Sequence, residues 1–448
     1  MEIFKKIWFL FLLALLFLPM VQSYFNIFPE RQLDGAFVEM PKPNVTMKAI
    51  MNETVQDSIT AYCTEQTGFR KTLIRLNNQF LHSVFRKDAT KGFVTGKDGV
   101  LFEESYILSY TGQTFVGKEK VDDVSSRLKL VQDMLAARNV TLLTVFAPGK
   151  ASFYPELIPD YYLDRANPTN NYKEYVNDFD SIGVNYIDFN RYFFNMKDTA
   201  TKAIYCNLGA HWTIYAASLA MDSLAGYMEA KTGKKHAHLS FDGFTVSDSL
   251  INQDDDIYKS MNLMFPMKHN RIDNPILKFN DGYKPKVLSI SDSYWWTVWA
   301  YNVAIPQNIF SDGGFWFYNR TIYPERNPIQ NVDEVNYRQE IEQQEFVLLV
   351  TTEATNHLYP FDFCNRYLTS FDDAFASKSP DDYDATDSIY AAYRQKMIDS
   401  IKEEIKANPE WYENVKNQAL EKNISEDESI EANAIYTYRQ RMTSEISD

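Results

Sequence analysis

Two residues have the type and the placement for acyl-transfer chemistry. Ser293 ends the triplet Ser291-Asp292-Ser293, which directly follows the apolar run Lys286–Ile290. A serine at the carboxyl end of a parallel strand stands where open α/β sheets gather their reactive groups. A helix starting near Tyr294 would set free backbone N–H groups beside that serine, ready for an oxyanion. The plainer reading is that a Ser or Asp ahead of a helix caps it. His211 lies in Asn207-Leu-Gly-Ala-His-Trp-Thr213, just ahead of a helical stripe, and is the candidate general base. The other histidines fit the role less well. His82 sits in a helix, His236 and His238 in a lysine-flanked polar stretch, and His269 beside Lys268. His357, within Glu353–Leu358 after a strand, is a distant rival. Asp292 and Asn207 are the candidate orienters of the imidazole or members of the oxyanion region. No HxxxH pair or carboxylate cluster has metal-ligand spacing, so no catalytic metal is expected.

Rings near these residues are the candidate substrate contacts. Tyr294-Trp295-Trp296 and Trp299 follow the serine, and Phe315–Arg320 holds a second cluster. Trp212, Tyr294, Trp316 and Arg320 are singled out, Arg320 as a partner for a carboxylate-bearing sugar. Core packing explains the rings equally well, and a surface ion pair explains the arginine.

The elements that must position these residues read as alternating strands and helices. Val140–Phe146 is a short apolar strand of the buried parallel kind, Val184–Phe189 is a second strand, and Val287–Ile290 and Phe346–Val350 are further buried strands. Val124, Leu128, Val131 and Leu135 mark one helix face, and Ile214, Ala217, Met221, Leu224 and Met228 another, stopping at Gly233. Val94–Phe102 reads as strand, turn at Lys97-Asp98-Gly99, and strand. The expected fold is α/β, a parallel sheet flanked by helices. An amphipathic helix over Gly68–Phe85 is expected to carry Leu73, Leu76, Phe80 and Val84 inward.

The chain ends differ from this middle. Lys5 and Lys6 precede an unbroken apolar run, Ile7–Leu18, continuing to Val21, the pattern of a secretory signal or an uncleaved anchor. Val21-Gln22-Ser23 offers a cleavage site, while Tyr24, Phe25, Ile27 and Phe28 extend the apolarity. Residues 381–448 hold 16 acidic and 8 basic residues, over half of a net charge of −15. Ile389, Tyr393, Met397, Ile401 and Ile405 nonetheless repeat every four residues, and Pro409 opens a second helix, so a docked helical tail is expected. The domain reading is signal or anchor 1–23, approach segment 24–90, catalytic domain 91–375 and acidic helical tail 376–448. The acidic balance argues against nucleic acid as a partner. Cys63, Cys206 and Cys364 are too few and too far apart for a disulfide framework, although one bridge is open to them. Five Asn-x-Ser/Thr sites, at Asn44, Asn52, Asn139, Asn319 and Asn423, would matter only in a glycosylating host.

Several blocks, in one order, resemble the alginate O-acetyltransferase family of SGNH hydrolase-like proteins. They are Val94–Phe102, Ala147-Pro-Gly-Lys150 with Tyr154–Pro159, Gly209-Ala-His-Trp212, and Ser291-Asp-Ser293, over about residues 90–365. The resemblance implies an SGNH-like fold and O-acetylation of exported polysaccharide through an acyl-serine on Ser293. His211 would be the base, and a carbohydrate esterase or a catalytically impaired polysaccharide-binding subunit is the alternative. It also implies a periplasmic or cell-surface location and no bound cofactor. The acetyl group would come from a membrane acyl donor system, with a membrane-bound O-acyltransferase as partner. One position departs from the family. Its aspartate two residues before the histidine, which orients the imidazole, is Gly209 here.

Overall fold

The computed structural model describes residues 2–35, 40–52, 54–246, 250–251, 253–326 and 328–444. It contains two compact units. The smaller comprises Met1–Glu104, Tyr205–Ala210 and Ser249–Arg271, and the larger Ser105–Ile204, His211–Asp248 and Ile272–Asp448.

The smaller unit opens with α1 (Glu2–Phe25), 24 residues that are long and apolar enough to cross a membrane. Helix α2 (Arg70–Phe85) forms where expected, but its faces are reversed. Leu73, Leu76, Phe80 and Val84 are exposed, while Arg75 and Asn78 are buried. The cause is hydrogen bonding. The Arg75 guanidinium donates to the carbonyl of Gln32 at 2.6 Å, and Asn78 Nδ2 to that of Met261 at 2.9 Å. Carbonyls withdrawn from water need such donors, and the polar face of α2 supplies them. Strands β1 (Phe93–Thr95) and β2 (Leu101–Glu103) pair antiparallel around the Lys97–Gly99 turn, as their sequence predicts.

The larger unit is a seven-stranded sheet covered by helices. In chain order its elements begin with α3 (Lys118–Ala136), β3 (Thr141–Phe146), α4 (Asn171–Ile182), β4 (Tyr186–Asp188) and α5 (Ile214–Thr232). A separate hairpin follows, β5 (Leu239–Val246) with β6 (Asp273–Phe279). Then come β7 (Lys286–Ser291), β8 (Asp312–Phe317), β9 (Thr321–Arg326), β10 (Ile329–Asn331) and β11 (Phe346–Thr351). The chain finishes with α6 (Phe363–Phe375), α7 (Ala385–Ala407), α8 (Pro409–Lys422) and α9 (Glu426–Ser444). The sheet order is β10-β9-β8-β7-β11-β3-β4, parallel from β8 to β4, with β9 and β10 antiparallel at one edge. Strand β7 lies inside it, Ser291 facing Val350 of β11 and Phe317 of β8.

The four expected strands are present, as are the buried faces of α3 and α5. Strands β8 to β10 and the β5–β6 hairpin lacked that signature. β8 reads Asp-Gly-Gly-Phe-Trp-Phe, without an aliphatic run, and β9 carries Pro324 and charged residues suited to a sheet margin. The acidic tail is docked. Tyr390, Ile398, Ile401, Ile405, Ile430 and Tyr438 join the same core as Val121 and Leu128 of α3. Within it the Tyr390 hydroxyl meets Asp372 at 3.0 Å and Tyr438 at 2.9 Å. Cys63, Cys206 and Cys364 are free thiols, the last two buried.

Candidate active site

Parallel strands deliver their following loops to one edge of the sheet, and that edge holds the candidate chemistry. β7 is buried from Val287 onward, so the chain leaves it from within the sheet. Asp292 turns inward, 2 % exposed, and Ser293 turns out to solvent. The two readings of this triplet prove compatible. Asp292 caps the short turn Ser293–Trp295, its Oδ1 accepting the Tyr294 N–H at 2.9 Å. That bond also occupies the N–H expected to serve an oxyanion. The other carboxylate oxygen accepts hydroxyl protons from Thr355 at 2.6 Å and Thr352 at 3.1 Å. Burial pushes the Asp292 carboxyl up, opposed by Thr355, the Tyr294 N–H, Thr352 and the nearby His211, which favour its charge.

His211 reaches the same place from α5. Thr213 caps that helix through the Ala216 N–H and donates to the Ala203 carbonyl at 2.8 Å, fixing the preceding loop. The His211 ring stacks on Tyr294 with 5.3 Å between centroids. Trp212 packs on the same tyrosine at 5.1 Å and on Trp295 at 6.2 Å. The aromatic residues flanking His211 and Ser293 therefore form one stack that ties the two segments together.

This packing corrects the substrate contacts expected of Trp212, Tyr294 and Trp316. All three are at most 2 % exposed, so no sugar reaches their faces; they are structural rings. Trp296 likewise packs on Phe315 and Tyr323. Arg320 is exposed and lines a cavity of about 600 Å³ together with Lys120, Arg127, Tyr318, His357 and Phe361. The cavity adjoins the end of β7, since the Tyr318 N–H donates to the Ser291 carbonyl at 2.8 Å. His357 thus belongs to the cavity wall, and burial pushes its imidazole down.

Asn207 does not orient an imidazole either. Its amide spans the 268–270 segment, donating to the Lys268 carbonyl at 3.0 Å and accepting the Asn270 N–H at 3.0 Å. Gly209 has a packing cause. A Cβ there would collide with the Gln253 carbonyl and stand 2.6 Å from that of Asp254. The family's aspartate has no room at this position in this chain.

The sequence reading missed the residues after β11. Thr352 and Thr355 hold Asp292, and between them Glu353 is fully enclosed, meeting the Ser152 hydroxyl, the Ser152 N–H at 3.3 Å and Asn190 Nδ2 at 3.4 Å. Asn190 in turn accepts the Gly149 N–H at 3.1 Å, so the loops after β3, β4 and β11 share one polar knot. Burial pushes the Glu353 carboxyl up to about 8. The signal was available: Thr351–Asn356 is a polar run directly behind a predicted buried strand. Among the described residues no group of three or more His, Cys, Asp or Glu is arranged to hold a metal.

The site is thus a serine exposed at the carboxyl edge of a helix-flanked, largely parallel sheet. Residues 93–253 match the family model described as the SGNH hydrolase-like domain, acetyltransferase AlgX. This stretch is similar to that family, as the sequence blocks indicated; Ser293 lies beyond it. Among solved structures, the O-acetyltransferase domain of Pseudomonas putida AlgJ is similar at 13 % identity, covering 67 % of this chain and 99 % of that one, with a TM-score of 0.39. Pseudomonas aeruginosa AlgX is similar at 13 % identity over 64 % and 71 %, TM-score 0.41, and Bacillus cereus PatB1 at 13 % over 55 % and 93 %, TM-score 0.34. No curated protein matches the chain.

Proposed function

We propose that the chain O-acetylates an exported or cell-envelope polysaccharide through an acyl-serine on Ser293, with His211 as general base. The observation that carries this reading is the 5.3 Å stack of His211 on Tyr294, the neighbour of an exposed strand-end serine. The acetyltransferase description of the matched family supplies the acyl group. In the first half-reaction His211 takes the Ser293 Oγ proton as Oγ attacks the acetyl carbonyl, and the donor's leaving group departs with that proton. In the second, His211 takes a proton from a sugar hydroxyl as its oxygen attacks the acyl carbon, and returns that proton to the departing Ser293 Oγ. With no carboxylate at position 209, Asp292 is the charge nearest in sequence to the reacting serine, and we assign it the support of the imidazolium.

We assign the acceptor to the cavity lined by Arg320 and Tyr318, which offer it a cation and a ring. The chain requires no bound cofactor in this scheme; the acetyl group arrives from a membrane acyl donor system through a membrane-bound O-acyltransferase. Helix α1 holds the chain at the periplasmic or cell-surface side of that membrane. The purified chain, given an activated acetyl ester and an oligosaccharide, is expected to acetylate the sugar faster than it releases acetate. Faster acetate release would make it an esterase, a reading favoured by the openness of Ser293. Sugar binding that survives both Ser293→Ala and His211→Ala, without any turnover, would make it a binding subunit.

A further inference from the structure

Helix α2 presents an apolar face to the outside and a polar face to its own unit, the reverse of an ordinary surface helix. Leu73 is 54 % exposed, Phe80 56 % and Val84 58 %, at helical spacings that place them on one stripe. Exposed Phe265 lies beside them, its backbone N–H held by Gln79 at 3.0 Å. The inversion is built in, because Arg75 and Asn78 are anchored inward on the carbonyls of Gln32 and Met261. Rotating α2 to hide the stripe would break those bonds and leave the carbonyls unpaired.

Charge and position name the occupant. Residues 70–87 hold no acidic residue; Arg70 pairs with Glu65 at 2.9 Å and Arg75 is buried, which leaves Lys71, Arg86 and Lys87 at the two ends of the helix, in a chain of net charge −15. The start of α2 is also fastened to the end of the membrane-length helix α1. The Gly68 N–H donates to Ser23 Oγ at 2.7 Å, and Ser23 Oγ donates to the Gln66 carbonyl at 2.7 Å. Helix and loop touch so closely that a Cβ on Gly68 would stand 2.6 Å from Gln22 Cβ and collide with the Pro19 carbonyl. The Thr72 N–H is tied to Glu30 at 2.9 Å, just beyond α1.

We infer that α2 lies in the surface of a bilayer containing anionic phospholipid, as a second membrane contact beside α1. An apolar stripe with basic residues at both ends of the helix is the composition of an interfacial helix, which buries its apolar face about 5–10 Å deep. The basic ends meet phosphate headgroups, and the stripe meets the upper acyl chains. The inference rests on α1 staying attached and embedded, which the flotation arm below reads separately.

The test uses the full chain with Cys63→Ser, reconstituted in vesicles of phosphatidylcholine and phosphatidylglycerol. A polarity-sensitive fluorophore is placed at Phe80→Cys, Val84→Cys or, as a control in the C-terminal helices, Glu403→Cys. Flotation with the vesicles reports α1. Labels at 80 and 84 are expected to shift to the blue, to be quenched several-fold more than the control by shallow doxyl-labelled lipid, and to resist aqueous iodide. Lys71→Glu combined with Arg86→Glu and Lys87→Glu is expected to lower that quenching while flotation persists. Chains that float but whose labels at 80 and 84 behave like position 403 would overturn the inference. So would protection from iodide that appears only in cells and not in these vesicles, which would assign the stripe to a membrane protein. Protection that appears without lipid and grows with protein concentration would assign it to a second copy of the chain.

Discussion

Two polar sites share the carboxyl edge of one sheet and are built in opposite ways. After β7, Asp292 is enclosed and hydrogen-bonded while its neighbour Ser293 stands in solvent. After β11, β3 and β4, the knot of Glu353, Ser152, Asn190 and Gly149 turns its polar atoms on one another. The first arrangement leaves a hydroxyl exposed above a buried carboxylate; the second joins the segments that follow three strands. Thr352 and Thr355 grip Asp292 from either side of Glu353 in sequence, so the knot positions the floor of the serine site. Burial within the knot accounts for the raised Glu353 carboxyl.

The comparison breaks if the roles exchange on mutation. Ser293→Ala is expected to remove acetyl transfer by at least about 10³-fold while leaving the unfolding midpoint unchanged, because the residue is exposed. Initial rates and thermal melts of the variant check both halves, and a variant that retains activity would give the chemistry to another residue. Asp292→Asn is expected to lower kcat by roughly 10²-fold with little change in KM, since it removes charge beside His211 without touching the acceptor. It should also destabilise by about 1–3 kcal/mol, because an amide cannot accept all three of its present donors.

Gly209→Asp tests whether the family's missing carboxylate can be put back. Backbone carbonyls of Gln253 and Asp254 fill the place of its side chain, so a loss of about 1–3 kcal/mol and no gain in rate are expected. A rise in kcat would show that the vacancy had room.

The pH dependence of stability is the most diagnostic of the knot. The Glu353 carboxyl is pushed up to about 8 by burial, whereas a carboxyl in the unfolded chain titrates near about 4.3. A raised acid contributes its stability in full below the lower value. That contribution is lost as pH rises toward about 8, because the unfolded chain ionises first. Denaturant midpoints are expected to fall from pH 5 to pH 8, and Glu353→Gln is expected to flatten that slope while acetyl transfer stays within a few-fold. A variant that kept the full slope would move the titration elsewhere, with Asp254, also raised by burial to about 7, the next group to change.

The core of this account was legible because buried parallel strands leave continuous apolar runs. Val140–Phe146, Val287–Ile290 and Phe346–Val350 marked the sheet, and the polar residues directly behind the second marked the serine. Helices gave less. α7 and α2 both show a stripe at helical spacing, yet one buries it and the other exposes it. Periodicity fixes that a helix has two faces; the distant carbonyls of Gln32 and Met261 decide which one turns inward. The same limit applies to Trp212 and Trp316, whose ring type suits sugar stacking and core packing alike. Gly209 was visible as a departure, but its cause lies some 45 residues downstream in the backbone of Gln253 and Asp254.

The central claim is that Ser293 carries the acyl group. The most direct measurement is rapid acid quenching of the full chain during turnover of an activated acetyl ester, followed by proteolysis and mass spectrometry of the peptide containing Ser291–Tyr294. The account predicts one added acetyl group on Ser293, absent in Ser293→Ala and consumed when oligosaccharide is supplied. An acetyl group found on another residue while turnover continues, with Ser293 unmodified, would contradict it.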